Sequence, residues 1–199
     1  MTRSNGNFHY LLPALNILIK FINIALILLA VIEPDLPQFQ GKAMGARLIL
    51  YPLATLVVPI IWLIVSRRSP YPHLIDILVV LPFVLDTAGN ALNLYNTTPS
   101  FDRFAHWISW VLLTTAFGSS VSATRITRIN VFALTIGFGV TTIVLWEIAE
   151  FILMLMGSSG LQLTYNDTMD DLILSTLGSF VGALLVISLL WRGKLMPRR

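Results

Sequence analysis

Apolar runs long enough to cross a bilayer recur six times along this chain, over residues 11–32, 46–65, 73–92, 102–122, 130–156 and 172–191. A membrane helix needs about 20 such residues to traverse a hydrocarbon core of roughly 30 Å. The runs therefore predict an all-α polytopic membrane protein, one bundle of six transmembrane helices forming a single domain over residues 1–199. The first run is too long for a signal peptide and lacks a small-x-small cleavage site, so a retained helix is expected there. Composition agrees: 56% of residues are hydrophobic and 12% charged, against about 25% charged in a soluble domain.

Twelve of the thirteen lysines and arginines sort by side, Lys20 lying within the first run. With six spans both ends share one face, which carries Arg3, Arg67, Arg68, Arg125, Arg128, Arg192, Lys194, Arg198 and Arg199; the other has Lys42, Arg47 and Arg103. Basic residues concentrate on the cytoplasmic side. The expected topology is N-in and C-in across a bacterial inner membrane. These short basic clusters flank spans, so they suit phospholipid head groups and no nucleic acid. Cysteine is absent, which excludes disulfides, thiolate metal sites and cysteine nucleophiles.

Within this frame the acids are misplaced for lipid. Trp146-Glu147-Ile148-Ala149-Glu150-Phe151 sets two carboxylates at i, i+3 on one helix face. Each costs several kcal/mol at that depth unless it meets a cation, a proton or water. Asp86, Asn90 and Asn93 form a stripe at i, i+4, i+7, and Asp102 shares a face with His106 at i, i+4. Asp167, Asp170 and Asp171 precede the sixth span. The topology gathers seven of the ten acids into the outer half of the membrane, with Arg103 and His106 as the expected local bases.

Carboxylates with imidazole suit Zn, Mn or Fe, and carboxylates with carbonyls suit harder divalent cations. The expected ligands of a divalent metal ion are Asp102, His106, Glu147, Glu150 and Asp170, with Glu147 or Glu150 as general base. Asp86, Asn90, Asn93, Arg103, Asp167, Asp171 and Thr176 would line the surrounding pocket. A hydrogen-bonded knot of partly protonated acids accounts for the same residues without a metal. Asp170 and Asp171 also favour a helix start by charge alone. Tyr51, Tyr71, Tyr95 and Trp107 sit near span ends and read as interfacial anchors, and Gly178 with Gly182 reads as a helix-packing face.

Three stretches together, Asp102-Arg103-Phe104-Ala105-His106, Trp146 to Phe151, and Tyr165 to Leu172 with Ser175-Thr176-Leu177-Gly178, resemble the YjdF-like bacterial inner-membrane proteins. The likeness covers roughly residues 86–182, and Ser175 stands where that pattern often has Asn. The aspartate-to-histidine start and the Thr-Leu-Gly helix are more loosely similar to VanZ-like proteins. The resemblance implies a small polytopic membrane protein and no established reaction. Three functions stay open: a membrane enzyme using the metal on a lipid or isoprenoid-linked substrate, a cation or proton carrier with Lys20 and Asp86 as relay groups, and an assembly or sensor protein whose polar cluster fixes packing. The last would have another membrane protein, or a second copy of the chain, as partner.

Overall fold

The computed structural model of the chain describes residues 8–124, 126–161 and 163–190. Arg3, Arg125, Arg192, Lys194, Arg198, Arg199 and the last residue of the sixth run, Trp191, lie outside the described residues. The described chain is helical: α1 (Phe8–Ile32), α2 (Met44–Ile61), α3 (His73–Ala91), the single turn α4 (Leu94–Thr97), α5 (Phe101–Ser122), α6 (Arg128–Leu155) and α7 (Tyr165–Leu185). Short π-helical turns, Trp62–Ser66 and Val186–Leu190, extend α2 and α7. The first of these follows Pro59, which has no N–H to donate to the helical ladder.

Five helices, all of the long ones except α5, are long and apolar enough to cross a membrane. Their burial pattern is the reverse of a soluble protein's. Large apolar side chains such as Ile17, Phe21, Ile49, Ile64 and Leu145 are exposed, whereas Asn16, Asn23, Asp76, Asn90, Thr114, Thr135, Ser175 and Ser179 are buried. Hydrocarbon accepts the first set, and the second is enclosed between helices, where Thr114, Thr135 and Ser179 donate to carbonyls of their own helix and Asn16 donates to Asp76 of another.

At 22 residues α5 is also of spanning length, but it is interrupted by His106, Ser109, Thr114, Thr115, Ser119 and Ser120. It can carry them because it is the inner helix, packed against α3, α6 and α7. Small residues let it approach. A Cβ on Gly178 would collide with the carbonyl of Trp107, one on Gly182 with the Thr114 hydroxyl, and one on Gly139 with Ser179. These pairings run α5 parallel to α7 and place α6 antiparallel to both.

Two of the helix starts that fall earlier than the apolar pattern alone indicates are capped by threonine. The Thr127 hydroxyl accepts from the Asn130 N–H at 3.3 Å, and the Thr164 hydroxyl from the Asp167 N–H at 3.2 Å. Such caps satisfy one of the orphan donors of a first turn. The sixth run is thereby helical from Tyr165 rather than from residue 172, and Asp167, Asp170 and Asp171 occupy its first two turns.

Filling the α5–α7 contact should separate the helices. Gly182→Leu is expected to lower stability by about 1–3 kcal/mol through overpacking, seen as a lower melting temperature by size-exclusion chromatography in mild detergent. Gly137→Leu, where an added Cβ meets nothing within 4 Å, should melt as wild type. Equal melting of both variants would contradict this packing.

Candidate functional site

Between α2, α3, α5, α6 and α7 lies a cavity of about 640 Å³. Its wall includes Asp86, Asp102, Glu150, Asp167, Asp170 and Asp171, together with His106, Trp110 and Trp146. The bases are more numerous than the sequence pattern indicates: Arg47 and Lys42 line the cavity beside Arg103 and His106. The cause is the loop before α2, which folds back over the cavity. The Gly160 N–H donates to the Gly41 carbonyl at 3.1 Å, and Gly41, at φ +70°, is so close that a Cβ would strike the Gly160 backbone. Lys42 follows directly, its ammonium 5.6 Å from the centre of the Tyr95 ring. Burial and then the neighbouring Arg47 guanidinium pull the Lys42 ammonium below the usual lysine range, against the attraction of Asp102, Asp86 and Glu150.

The acids divide into paired and unpaired groups. Asp86 is saturated. Arg47 Nε donates to it at 2.8 Å, the Tyr51 hydroxyl at 2.6 Å, the Tyr95 hydroxyl at 2.9 Å and Asn90 Nδ2 at 3.3 Å. Tyr51 and Tyr95 are thus supports of a buried ion pair rather than interfacial anchors. Burial, with the Asp86 carboxylate next to it, pushes the Tyr95 hydroxyl well above the usual tyrosine range. Asp170 is taken by Arg103, whose NH2 group donates at 2.6 Å on the exposed rim.

The remaining acids surround His106. Nε2 of His106 is 3.7 Å from an Asp171 oxygen and 3.9 Å from an Asp102 oxygen, while Nδ1 lies 3.4 Å from the Ser175 hydroxyl. The ring stacks on Trp110, planes within 2° and centroids 5.8 Å apart, and Trp110 is fixed by its indole N–H donating to the Gly139 carbonyl at 3.0 Å. Asp171 is 2% exposed and its Oδ1 has no hydrogen-bond partner. One ligand atom from each of Asp102, His106 and Asp171 lies within 4.8 Å of the others. Zinc–nitrogen and zinc–carboxylate bonds are about 2.0–2.2 Å, so a small inward movement of the two carboxylates would close on one ion. A hydroxyl at the far imidazole nitrogen is the kind of partner that orients a metal-binding histidine.

Glu150 lines the cavity, whereas Glu147, 7% exposed, is buried with no hydrogen-bond partner for either carboxylate oxygen. Asp167 is on the wall at the first turn of α7. Two expected lining residues stand elsewhere. Asn93, at φ +59°, leaves α3 for the turn into α4, where it accepts from Asn96 at 2.7 Å. Thr176 is exposed, because the face of α7 turned to α5 carries Asp171, Ser175, Gly178 and Gly182.

Lys20 and Asp86 do not meet. Lys20 pairs with the fully buried Asp76 at 2.5 Å, and Asn16 donates to the same carboxylate at 2.8 Å, as does the Tyr71 hydroxyl. Burial and then that hydrogen bond to Asp76 push the Tyr71 hydroxyl up. Ile19, Ile77 and Val80 form an apolar plug within the α1–α3 contact that carries this group.

Residues 15–192 match the family described as "Predicted membrane protein (DUF2238)", which is the YjdF family. The chain belongs to that family. No curated protein and no solved structure matches it.

The Arg47–Asp86 pair gives a direct test of the site's frame. Arg47→Met should destabilise by about 3–5 kcal/mol, because it leaves a buried carboxylate without its cation. Arg47→Met/Asp86→Asn should recover part of the loss, since the amide still accepts from both tyrosines. Thermal unfolding in detergent reads both. Wild-type melting of the single variant would contradict a buried pair.

Proposed function

We propose that this chain is a six-span protein of the bacterial inner membrane, with both termini in the cytoplasm, whose outward-facing cavity binds a divalent cation and acts on the head group of a lipid or isoprenoid-linked substrate. The observation that carries the reading is the convergence of His106 Nε2 with the carboxylates of Asp102 and Asp171 inside a cavity whose other cations are largely engaged. Arg47 is used by Asp86 and Arg103 by Asp170. Lys42 lines the cavity with Asp102, Glu150, Asp167 and Asp171 and is attracted by the first two. A divalent ion supplies the charge that this group lacks.

One imidazole and two carboxylates suit Zn, Mn or Fe rather than an all-oxygen ion such as Mg or Ca. The ion would polarise a head-group oxygen or a bound water. Glu150, on the cavity wall, would accept the proton released, with Glu147 as its neighbour one turn away. Asp170 takes no part in holding the ion in this reading. The six-span count is supported by the length and enclosure of α5, and the orientation by the basic bias of the connecting segments.

Elemental analysis of protein purified in mild detergent tests the cation. About one transition-metal ion per chain is expected in the wild type. His106→Ala and Asp171→Asn should abolish it, and Ser175→Ala should weaken affinity by about 10–100-fold, as loss of an orienting partner does. Asp170→Asn should retain the ion. Wild-type protein without stoichiometric metal after exposure to Zn or Mn would remove the metalloenzyme reading and favour a knot of protonated acids.

A further inference from the structure

The charge on the cavity wall does not balance. With Arg47 assigned to Asp86 and Arg103 to Asp170, the described residues of the wall still set Asp102, Glu150, Asp167 and Asp171 against Lys42, four acids to one base. One divalent ion beside a neutral His106 lowers the excess from three negative charges to one and does not reverse it. Asp171 is 2% exposed, lines the same space and leaves its Oδ1 without a partner. A cleft of one sign concentrates guests of the other. Its guest is therefore cationic whether or not the metal is bound, and a phosphate would add to the excess.

The arrangement of the wall narrows the kind of cation. On α5, Asp102, His106 and Trp110 recur at i, i+4 and i+8, and on α6 Thr142, Trp146 and Glu150 do the same. The two helices are antiparallel, so each tryptophan lies one turn, about 6 Å, inward of His106 or Glu150. Their indole rings meet at 77° with centroids 6.4 Å apart, a corner in the wall. Leu113 and Phe83 also line the cavity, and the Thr142 hydroxyl donates to the Phe138 and Gly139 carbonyls of its own helix, at 2.9 and 3.0 Å. A hard inorganic cation takes oxygen ligands and gains nothing from indole. An alkylated ammonium gains from both parts of the wall: the carboxylates attract its charge, and its methyl groups meet the aromatic rings, as in the cages that recognise quaternary ammonium.

We infer that the cavity takes a quaternary ammonium group, carried by a lipid head group or by a free small molecule, between the Trp110–Trp146 corner and the Glu150 carboxylate. This rests on the reading of the cavity as a head-group site and names the class of head group. A quaternary ammonium donates no hydrogen bond, so both Glu150 oxygens stay able to accept a proton.

Calorimetric titration of the full chain in a maltoside detergent tests the inference, with choline and a short-chain phosphatidylcholine, each paired with an analogue in which carbon replaces the quaternary nitrogen. At least one charged ligand should bind saturably, and about tenfold or more tightly than its uncharged analogue, the equivalent of 1.4 kcal/mol. Tighter binding by phosphatidylcholine assigns the lipid as the source, and tighter binding by choline the free compound. Trp146→Leu should weaken binding by about tenfold, and Trp146→Phe, which keeps a ring, by less. Trp62→Leu should leave affinity unchanged, since that indole is tied to the Ser69 carbonyl and does not line the cavity. Equal binding of charged and uncharged members would overturn the inference, and this comparison needs only the wild type. Absence of saturable binding by both charged ligands would overturn it too, as would wild-type affinity in a Trp146→Leu variant of wild-type melting temperature. Ethanolamine bound in preference to choline would place the cation on the carboxylates alone and overturn the choice of a quaternary group. Metal content of the same preparations separates the two readings: ammonium binding without metal removes only the divalent ion, and metal without ammonium binding removes only the head-group class.

Discussion

The close approach of α5 and α7 sets the register of the molecule. Gly178 under the Trp107 carbonyl and Gly182 against Thr114 bring the two backbones into contact, and dispersion between closely packed surfaces is the force available to helices in a solvent as apolar as themselves. The same register puts Ser175 and Asp171 opposite His106. Gly139 extends the arrangement to α6 by letting Ser179 and Thr114 come close. The candidate ligand group is thus built on the most tightly constrained part of the bundle.

Two ways of burying a carboxylate coexist within the cavity. Asp86 is fully partnered, surrounded by a guanidinium, two phenols and an amide. Its donors are all spoken for, and it works as a fixed post joining α2, α3 and the turn before α5. Asp102, Asp171, Glu147 and Glu150 have no comparable set of donors. An uncompensated ionised group at such a site costs several kcal/mol, so a cation or protons must complete it. Most side chains around them are positioned for another purpose: Arg103 holds Asp170 on the rim, and Trp110 is tied to Gly139.

The apolar lengths, the inward-facing Glu147–Glu150 pair and the Asp102–His106 spacing were legible in the sequence because each is set within a single helix. Arg47 was not, since its partner Asp86 is 39 residues away and nothing local distinguishes a basic residue at a span end from a topology marker. Tyr51 and Tyr95 were hidden for the same reason, although Arg47 and Tyr51 at i, i+4 offered a faint signal. The choice between Asp170 and Asp171 depends on the rotation of α7, which its glycines determine. Adjacent residues on a helix point about 100° apart, so one of this pair meets the histidine while the other meets the rim arginine. The same rotation buries Ser175 and exposes Thr176. α5 itself was harder to read, because a helix shielded by others needs less apolar surface than one bathed in lipid.

The proposed site requires a cation to complete the group around His106. An anomalous difference map from crystals grown with Mn²⁺ addresses it without assuming any reaction. A single peak bounded by His106 Nε2 and the carboxylates of Asp102 and Asp171 is the expected result. A map with no peak there, or with manganese at Asp170 and the exposed rim, would contradict it.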